Sequence, residues 1–220
     1  MASMEDILRQ GASCLGLALS DTQVSQLLQY QDWLAKWNRV YNLTAVREPQ
    51  AMLVQHLLDS LSIVGPLRAQ LAQMGLSQAR LLDVGSGGGL PGVVIAIALP
   101  EVQVHCVDTV QKKALFIQQV SAAMGLKHLK GIHSRVEQLR DSYDVVSSRA
   151  FASLKDFTTW SRQALAPHGV WMAMKGKHPA QELTELGPDV TLLSQQNLHV
   201  PGLDAERCVL WLKPSVTECA

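Results

Sequence analysis

The sequence predicts an α/β fold: a mostly parallel seven-stranded sheet with helices on both faces, behind an N-terminal helical extension. Three observations carry this. From residue 80 onward, short apolar runs alternate with stretches of helical periodicity. The first of these runs leads into a helix through a turn crowded with glycine. Residues 1–75, in contrast, show only helical patterns, so the chain divides into an extension (1–75) and a βα domain (76–220).

The glycine turn organises the rest. Leu81, Leu82 and Val84 form a short apolar run that reads as a buried strand, with Asp83 near its end. Gly85, Gly87, Gly88 and Gly89 follow within five residues. Pro91 suits the first turn of a helix, Val93 to Leu99 supply it, and Pro100 stops it. Strand, glycine turn and helix make a ligand cradle at the carboxyl end of a parallel strand. Two registers are open. Gly87, Gly89 and Gly92 satisfy the G-x-G-x-x-G of dinucleotide binding, but that register starts three residues beyond the strand. Asp83-x-Gly85-x-Gly87-x-Gly89 starts at the strand end and resembles the first motif of S-adenosylmethionine (SAM) methyltransferases. SAM carries an ammonium and a sulfonium, which favour a carboxylate such as Asp83.

The elements follow in order. Residues 4–18 predict a short helix with Ile7, Leu8 and Leu15 apolar. Ser20-Asp21-Thr22-Gln23 is a capping box opening a second. Val24, Leu27, Leu28, Leu34 and Tyr41 form its inward stripe, widened by Trp33, Trp37 and Val40. Pro49 starts a third helix through Met52, Leu53, His56, Leu57 and Leu61, which Gly65-Pro66 is expected to end, and residues 67–75 form a fourth. After the first strand come strands at 102–107, 129–132, 143–148, 169–174, 190–199 and 207–213. Helices are expected at 111–125, with Ala114, Leu115, Ile117, Val120 and Met124 inward, at 154–165 and at 180–186. Asp108 ends the second strand 23 residues after Gly85, near the spacing expected of an acid that grips ribose hydroxyls.

Composition narrows the class. Hydrophobic residues make up 47% of 220, typical of a globular chain, and no apolar run reaches the roughly 18 residues of a membrane span. The start, Met1 to Asp6, is acidic and unlike a signal peptide. Cys14, Cys106, Cys208 and Cys219 form no C-x-x-C pair, and the histidines lack ligand spacing, so a cytoplasmic protein with neither disulfides nor a metal site is expected. Nineteen basic residues balance nineteen acidic ones, evenly along the chain. This counts against promiscuous nucleic-acid binding but leaves room for a local patch that reads one folded RNA.

Longer stretches are more specific. Trp37-Asn38-Arg39-Val40-Tyr41-Asn42-Leu43-Thr44, His56-Leu57-Leu58-Asp59-Ser60, the glycine turn, Ser134-Arg135-Val136-Glu137 and Ser148-Arg149-Ala150-Phe151-Ala152 together resemble the RsmG (GidB) family of bacterial 16S ribosomal RNA methyltransferases, over about residues 20–213. The resemblance implies a Rossmann-like class I SAM-dependent methyltransferase fold. It also implies methylation of N7 of one guanine, guanine 527, in the helix-18 pseudoknot of 16S RNA. Matching positions put SAM contacts at Gly85, Leu90, Val136, Glu137 and Arg149, with Asp83, Gly87, Gly89 and Asp108 completing the set. SAM is then the co-substrate, 16S RNA or the small ribosomal subunit the partner, and neither a membrane nor an obligate protein partner is evident. Ser86-Gly87-Gly88-Gly89 departs from the family's T/S-G-P/A-G, which should loosen the turn without removing the site.

The residue chemistry agrees with a ring-nitrogen target. Amino-group methyltransferases resemble one another in a D/N-P-P-Y/F motif after the fourth strand; here Ser147-Ser148-Arg149-Ala150-Phe151 stands in its place. Guanine N7 already presents a lone pair and needs no general base. Arg149 is the first candidate catalytic residue, with O6 or a phosphate as its partner. Lys175 is the second, and Lys177 and His178 beside it are candidate phosphate contacts. Phe151 is a candidate for base stacking or for the core. Two other readings remain: an NAD-dependent oxidoreductase, which lacks a Tyr-x-x-x-Lys pair here, and a SAM-dependent methyltransferase of a small molecule.

Overall fold

The computed structural model describes residues 3–151 and 153–215. Helix α1 (Met4–Cys14) opens on a capping box between Ser3 and Asp6, and α2 (Asp21–Tyr41) on one between Ser20 and Gln23. Helix α3 (residues 49–61) is α-helical at Pro49–Met52, widens to a π-helix at Leu53–Leu58 and returns to α at Asp59–Leu61. Helix α4 (Val64–Gln73) follows. The Gly65-Pro66 pair expected to stop a helix lies inside the first turn of this one. A proline there costs no hydrogen bond, because first-turn N–H groups have no helical partner.

The remaining elements are β1 (Ala79–Val84), α5 (Gly92–Ala98), β2 (Val102–Asp108), α6 (Gln111–Ala123), β3 (Leu129–His133), β4 (Tyr143–Arg149), α7 (Leu154–Ser161), β5 (Leu165–Lys175), α8 (Ala180–Thr184), β6 (Val190–Leu198) and β7 (Arg207–Pro214). Strand β5 starts four residues before Gly169, where the apolar run begins, and α7 ends correspondingly early, continuing as a 3₁₀ turn at Arg162–Ala164. Strands β1 to β5 are parallel, β7 runs antiparallel between β5 and β6, and the order is β3-β2-β1-β4-β5-β7-β6. The order reverses between β1 and β4. Beyond the carboxyl ends of those strands lies the switch-point crevice where open α/β sheets take ligands.

Alternation along the strands splits the core in two. Leu81, Val104, Val145 and Met172 face α1 to α6, and Leu82, Val146 and Trp171 face Leu154 and Phe157 of α7. The helical extension shares the first of these cores rather than forming its own. Gln23 Nε2 donates to the Ile97 and Ala98 carbonyls, closing the end of α5 with a side chain from α2. Three stripe assignments fail, two at a helix end and one by a single position. Val40 and Tyr41 are 69% and 40% exposed in the last turn of α2. On α6, Leu115 faces solvent and Phe116 is buried, an ambiguity natural where residues 114–117 are all apolar. No helix among the described residues is long and apolar enough to cross a membrane.

Candidate functional site

The glycine turn leaves β1 in left-handed backbone, with φ of +66° at Gly85, +58° at Gly87 and +90° at Gly89, values that side chains disfavour. The Gly85 N–H donates to Val107 O on β2 (2.9 Å) and the Gly89 N–H to Ser86 O (2.8 Å). The extension supports the turn from below. Tyr30 of α2, fully buried, donates its hydroxyl to Gly88 O at 2.6 Å, and Leu34 approaches so closely that a Cβ on Gly88 would sit 2.7 Å from it.

Asp83 corrects one expectation. Its side chain is wholly buried, with Oδ2 accepting from the Gly92 N–H (2.9 Å) and Oδ1 from the Ser147 hydroxyl (3.1 Å). It is a brace tying β1 to the start of α5 and to β4, not a carboxylate presented to a ligand's cationic end. Burial pushes its pKa up to about 7, against the opposing pull of the Gly92 and Ser147 hydrogen bonds and of Arg149. Leu90 likewise packs its side chain into the core.

The cleft above the turn has a volume of about 370 Å³ and is lined by Gly85, Asp108, Lys113, Val136, Glu137, Phe151 and Trp160, among others. Asp108, at the end of β2, is held rigidly. Its Oδ2 accepts from the Gly87 N–H (3.0 Å), its Oδ1 from the Val110 N–H (2.9 Å), and Lys113 Nζ lies 3.6 Å away. Each carboxylate oxygen has a second lone pair, so two backbone donors leave capacity for two hydroxyls. Val136 and Glu137 come from a 3₁₀ turn after β3. Four of the sequence-selected residues therefore share one cleft; Gly87 and Gly89 do not line it, and Gly87 reaches it only through its N–H bond to Asp108.

Arg149 faces elsewhere. It lines a second cavity, of about 480 Å³, with His56, Asp59, Lys175, Glu182 and Arg207. Phe151 lines both spaces and forms the wall between them. Asp59, 2% exposed, accepts from Arg149 Nη1 (2.9 Å) and from Arg207 Nε (2.7 Å). The Gln55 carbonyl, in the π-helical turn, takes a further bond from Arg149 Nη1 (3.1 Å). Lys175 is not the free cation that its strand-end position suggests: Glu182 holds it with both oxygens at 3.0 and 2.8 Å. His56 Nε2 pairs with Thr44 Oγ1 (2.7 Å). Its Nδ1 is buried with no partner among the described residues, and burial, aided by Arg149, lowers its pKa.

Comparison with known proteins shows the family. The family model described as rRNA small subunit methyltransferase G, GidB, matches residues 23–210. The chain belongs to this family. The curated ribosomal RNA small subunit methyltransferase G of Acidovorax sp. (strain JS42) is 63% identical over 217 residues, spanning 96% of each chain. That of Polaromonas sp. (strain JS666 / ATCC BAA-500) is 59% identical over 214 residues, spanning 97% of this chain and 95% of its own. Among solved structures, a SAM-dependent methyltransferase from Aquifex aeolicus superposes with a TM-score of 0.53 at 12% identity, covering 83% of this chain and 97% of that one. TrmN from Thermus thermophilus gives 0.53 at 18%, covering 74% and 53%. At such identities these two speak for the fold alone, the Rossmann-like class I SAM-dependent methyltransferase fold.

In this GidB-family chain, sequence reasoning missed Asp59, Arg207, Glu182 and the role of Tyr30. Asp59 carried a signal: an acid within the apolar repeat of α3 is costly to bury unless cations meet it. Arg207 and Glu182 carried none, because only the sheet order brings β7 and α8 beside β4 and β5.

Proposed function

We propose that the protein transfers the methyl group of SAM to N7 of a single guanine, guanine 527, in the helix-18 pseudoknot of 16S ribosomal RNA. Membership of the GidB family supports the rRNA substrate, and one observation of the site supports the ring nitrogen. Both carboxylates lining the second cavity are engaged by cations, Asp59 by Arg149 and Arg207 and Glu182 by Lys175. His56 Nδ1 is shut away from solvent. Among the described residues, no unpaired carboxylate lines this second cavity, which suits a nucleophile that loses no proton.

The cleft fits SAM by volume and by donor set. The glycine backbone gives close approach, Asp108 accepts ribose hydroxyls, and Val136 with Glu137 flanks the adenine side. SAM supplies an electrophilic methyl when bound. The chain's part is to bring the base into direct, in-line contact with that methyl beside Phe151, where positioning rather than proton transfer sets the rate. Single-turnover methylation of small subunits with tritiated SAM, both partners saturating, is expected to stay nearly flat between about pH 6.5 and 8.5. A steep rise across that window rules out the unassisted lone pair, and transfer to bulk metabolites but not to subunits favours the small-molecule reading.

Asp108 tests the cofactor half. Asp108→Ala removes the ribose acceptors and strands the Gly87 and Val110 donors. SAM affinity is expected to fall by about 1–3 kcal/mol, roughly 5- to 150-fold, in calorimetry. NADH binding to the parent protein, with none for SAM, points instead to the oxidoreductase.

A further inference from the structure

We infer that Arg149 and Arg207, held side by side by Asp59, form a seat for one phosphodiester of the RNA next to the methylated nucleotide; this rests on the proposed rRNA methylation. The geometry of the cluster is the first support. One buried carboxylate divides its two oxygens between two guanidinium groups that come from different strands, β4 and β7. The contacts with Asp59, Gln55 O and Glu206 O occupy Nη1 of Arg149 and Nε and Nη1 of Arg207. Nε and Nη2 of Arg149 and Nη2 of Arg207 have no protein partner among the described residues. Their side chains keep 21% and 26% of their exposure while Asp59 keeps 2%, so the cations face the cavity and the anion lies behind them.

Charge is the second support. The cavity is lined by three cations, Arg149, Arg207 and Lys175, against two carboxylates, Asp59 and Glu182. Lys175 and Glu182 cancel each other as a close pair. One positive charge is left, centred on the two arginines, and a phosphodiester carries one negative charge with two oxygens for the remaining N–H groups. Forked guanidinium donors suit that shape better than a point charge does. A cavity of about 480 Å³ has room for a nucleotide, and it shares Phe151 with the cleft. Asp59 is then a positioning residue. It touches no substrate, and it fixes where both guanidinium groups point.

The experiment uses small subunits reconstituted with 16S RNA carrying a neutral methylphosphonate at the phosphate 5′ or 3′ of the target guanosine. Filter binding and methyl transfer are measured for the parent protein, Arg207→Ala, Arg207→Lys and Asp59→Asn, with SAM affinity by calorimetry. At one of the two positions, the neutral phosphate is expected to weaken parent binding about tenfold. Arg207→Ala should show a similar loss on ordinary RNA and no further loss on the neutral RNA, with SAM affinity unchanged; Arg207→Lys should recover only part. Asp59→Asn raises the local positive charge, so simple attraction predicts tighter RNA binding, whereas the seat predicts weaker binding at unchanged SAM affinity. Losses from Arg207→Ala and the neutral phosphate that multiply at both positions, or a neutral phosphate that costs nothing at either, overturn the inference. A parent protein that binds subunits in this phosphate-dependent way yet transfers no methyl refutes the proposed reaction and leaves the seat standing.

Discussion

Gly92→Ala is expected to destabilise the protein by about 3 kcal/mol and to abolish measurable SAM binding near the melting range. The cause is steric. Gly92 does not occupy left-handed backbone, so alanine is acceptable there conformationally. A Cβ at this position, however, would drive into Cys106 Sγ on β2 and sit 2.9 Å from Asp83 Oδ2. Both neighbours are fully buried and belong to central strands, so neither gives way cheaply. Overpacking of this kind costs about 1–3 kcal/mol, and displacement of the Asp83 brace adds the loss of a buried hydrogen bond. For a chain of this length, the melting temperature should fall by roughly 6–12 °C. Combining Gly92→Ala with Cys106→Ala removes the sulfur from the path and should restore about half of the loss. An unchanged melting temperature in the single variant, or no rescue in the double, shows that the strand ends tolerate the methyl and that the close packing of β1, β2 and α5 does not set the turn.

That packing also explains what sequence reading reached and what it did not. The glycine turn, its flanking strand and helix, and the acid ending β2 were legible because each is local: glycine spacing, apolar runs and a prolyl stop all lie within about thirty residues. The partition of the candidate residues was not legible. Asp83 and Asp108 look alike in sequence, each an acid at or near a strand end. One is held by backbone and serine inside the sheet, and the other stands over the cleft, a difference fixed by depth along the strands. Both point to the same face, but Asp83 pairs with Cys106 and Asp108 lies two residues further, at the end of β2. Arg149 stands out in sequence, but its partner Asp59 lies 90 residues away on α3, and its neighbour Arg207 lies on β7. Lys175 reads as a free cation because nothing in its own strand reveals Glu182 of α8. Local pattern specifies the elements; long-range order decides which charges meet.

Asp83→Asn is expected to stabilise the protein at pH 8 and to leave it nearly unchanged near pH 4. The folded-state pKa of Asp83 is pushed up to about 7, whereas in the unfolded chain the carboxyl titrates near 3.8. Between these values the native state holds a proton that the unfolded state has released. Stability therefore falls as pH rises through that window, and the full contribution of the neutral carboxyl is present only below about pH 4. The rise from 3.8 to about 7 sets a ceiling of about 4 kcal/mol for the cost of the ionised form above pH 7. Asparagine carries no such cost and keeps the brace. Its carbonyl accepts from the Gly92 N–H, and its amide donates to Ser147 Oγ, whose own hydrogen turns to the Leu82 carbonyl already 3.4 Å away. In urea unfolding at pH steps from about 4.5 to 8.5, the variant's advantage should grow with pH to roughly 2–4 kcal/mol and level off above about pH 8. Other acids titrate in both proteins and cancel in the difference. A difference that stays constant with pH means that Asp83 is ionised throughout, its charge satisfied by Gly92, Ser147 and the approach of Arg149. A variant less stable at every pH means instead that the serine does not turn, and that the brace requires a carboxylate.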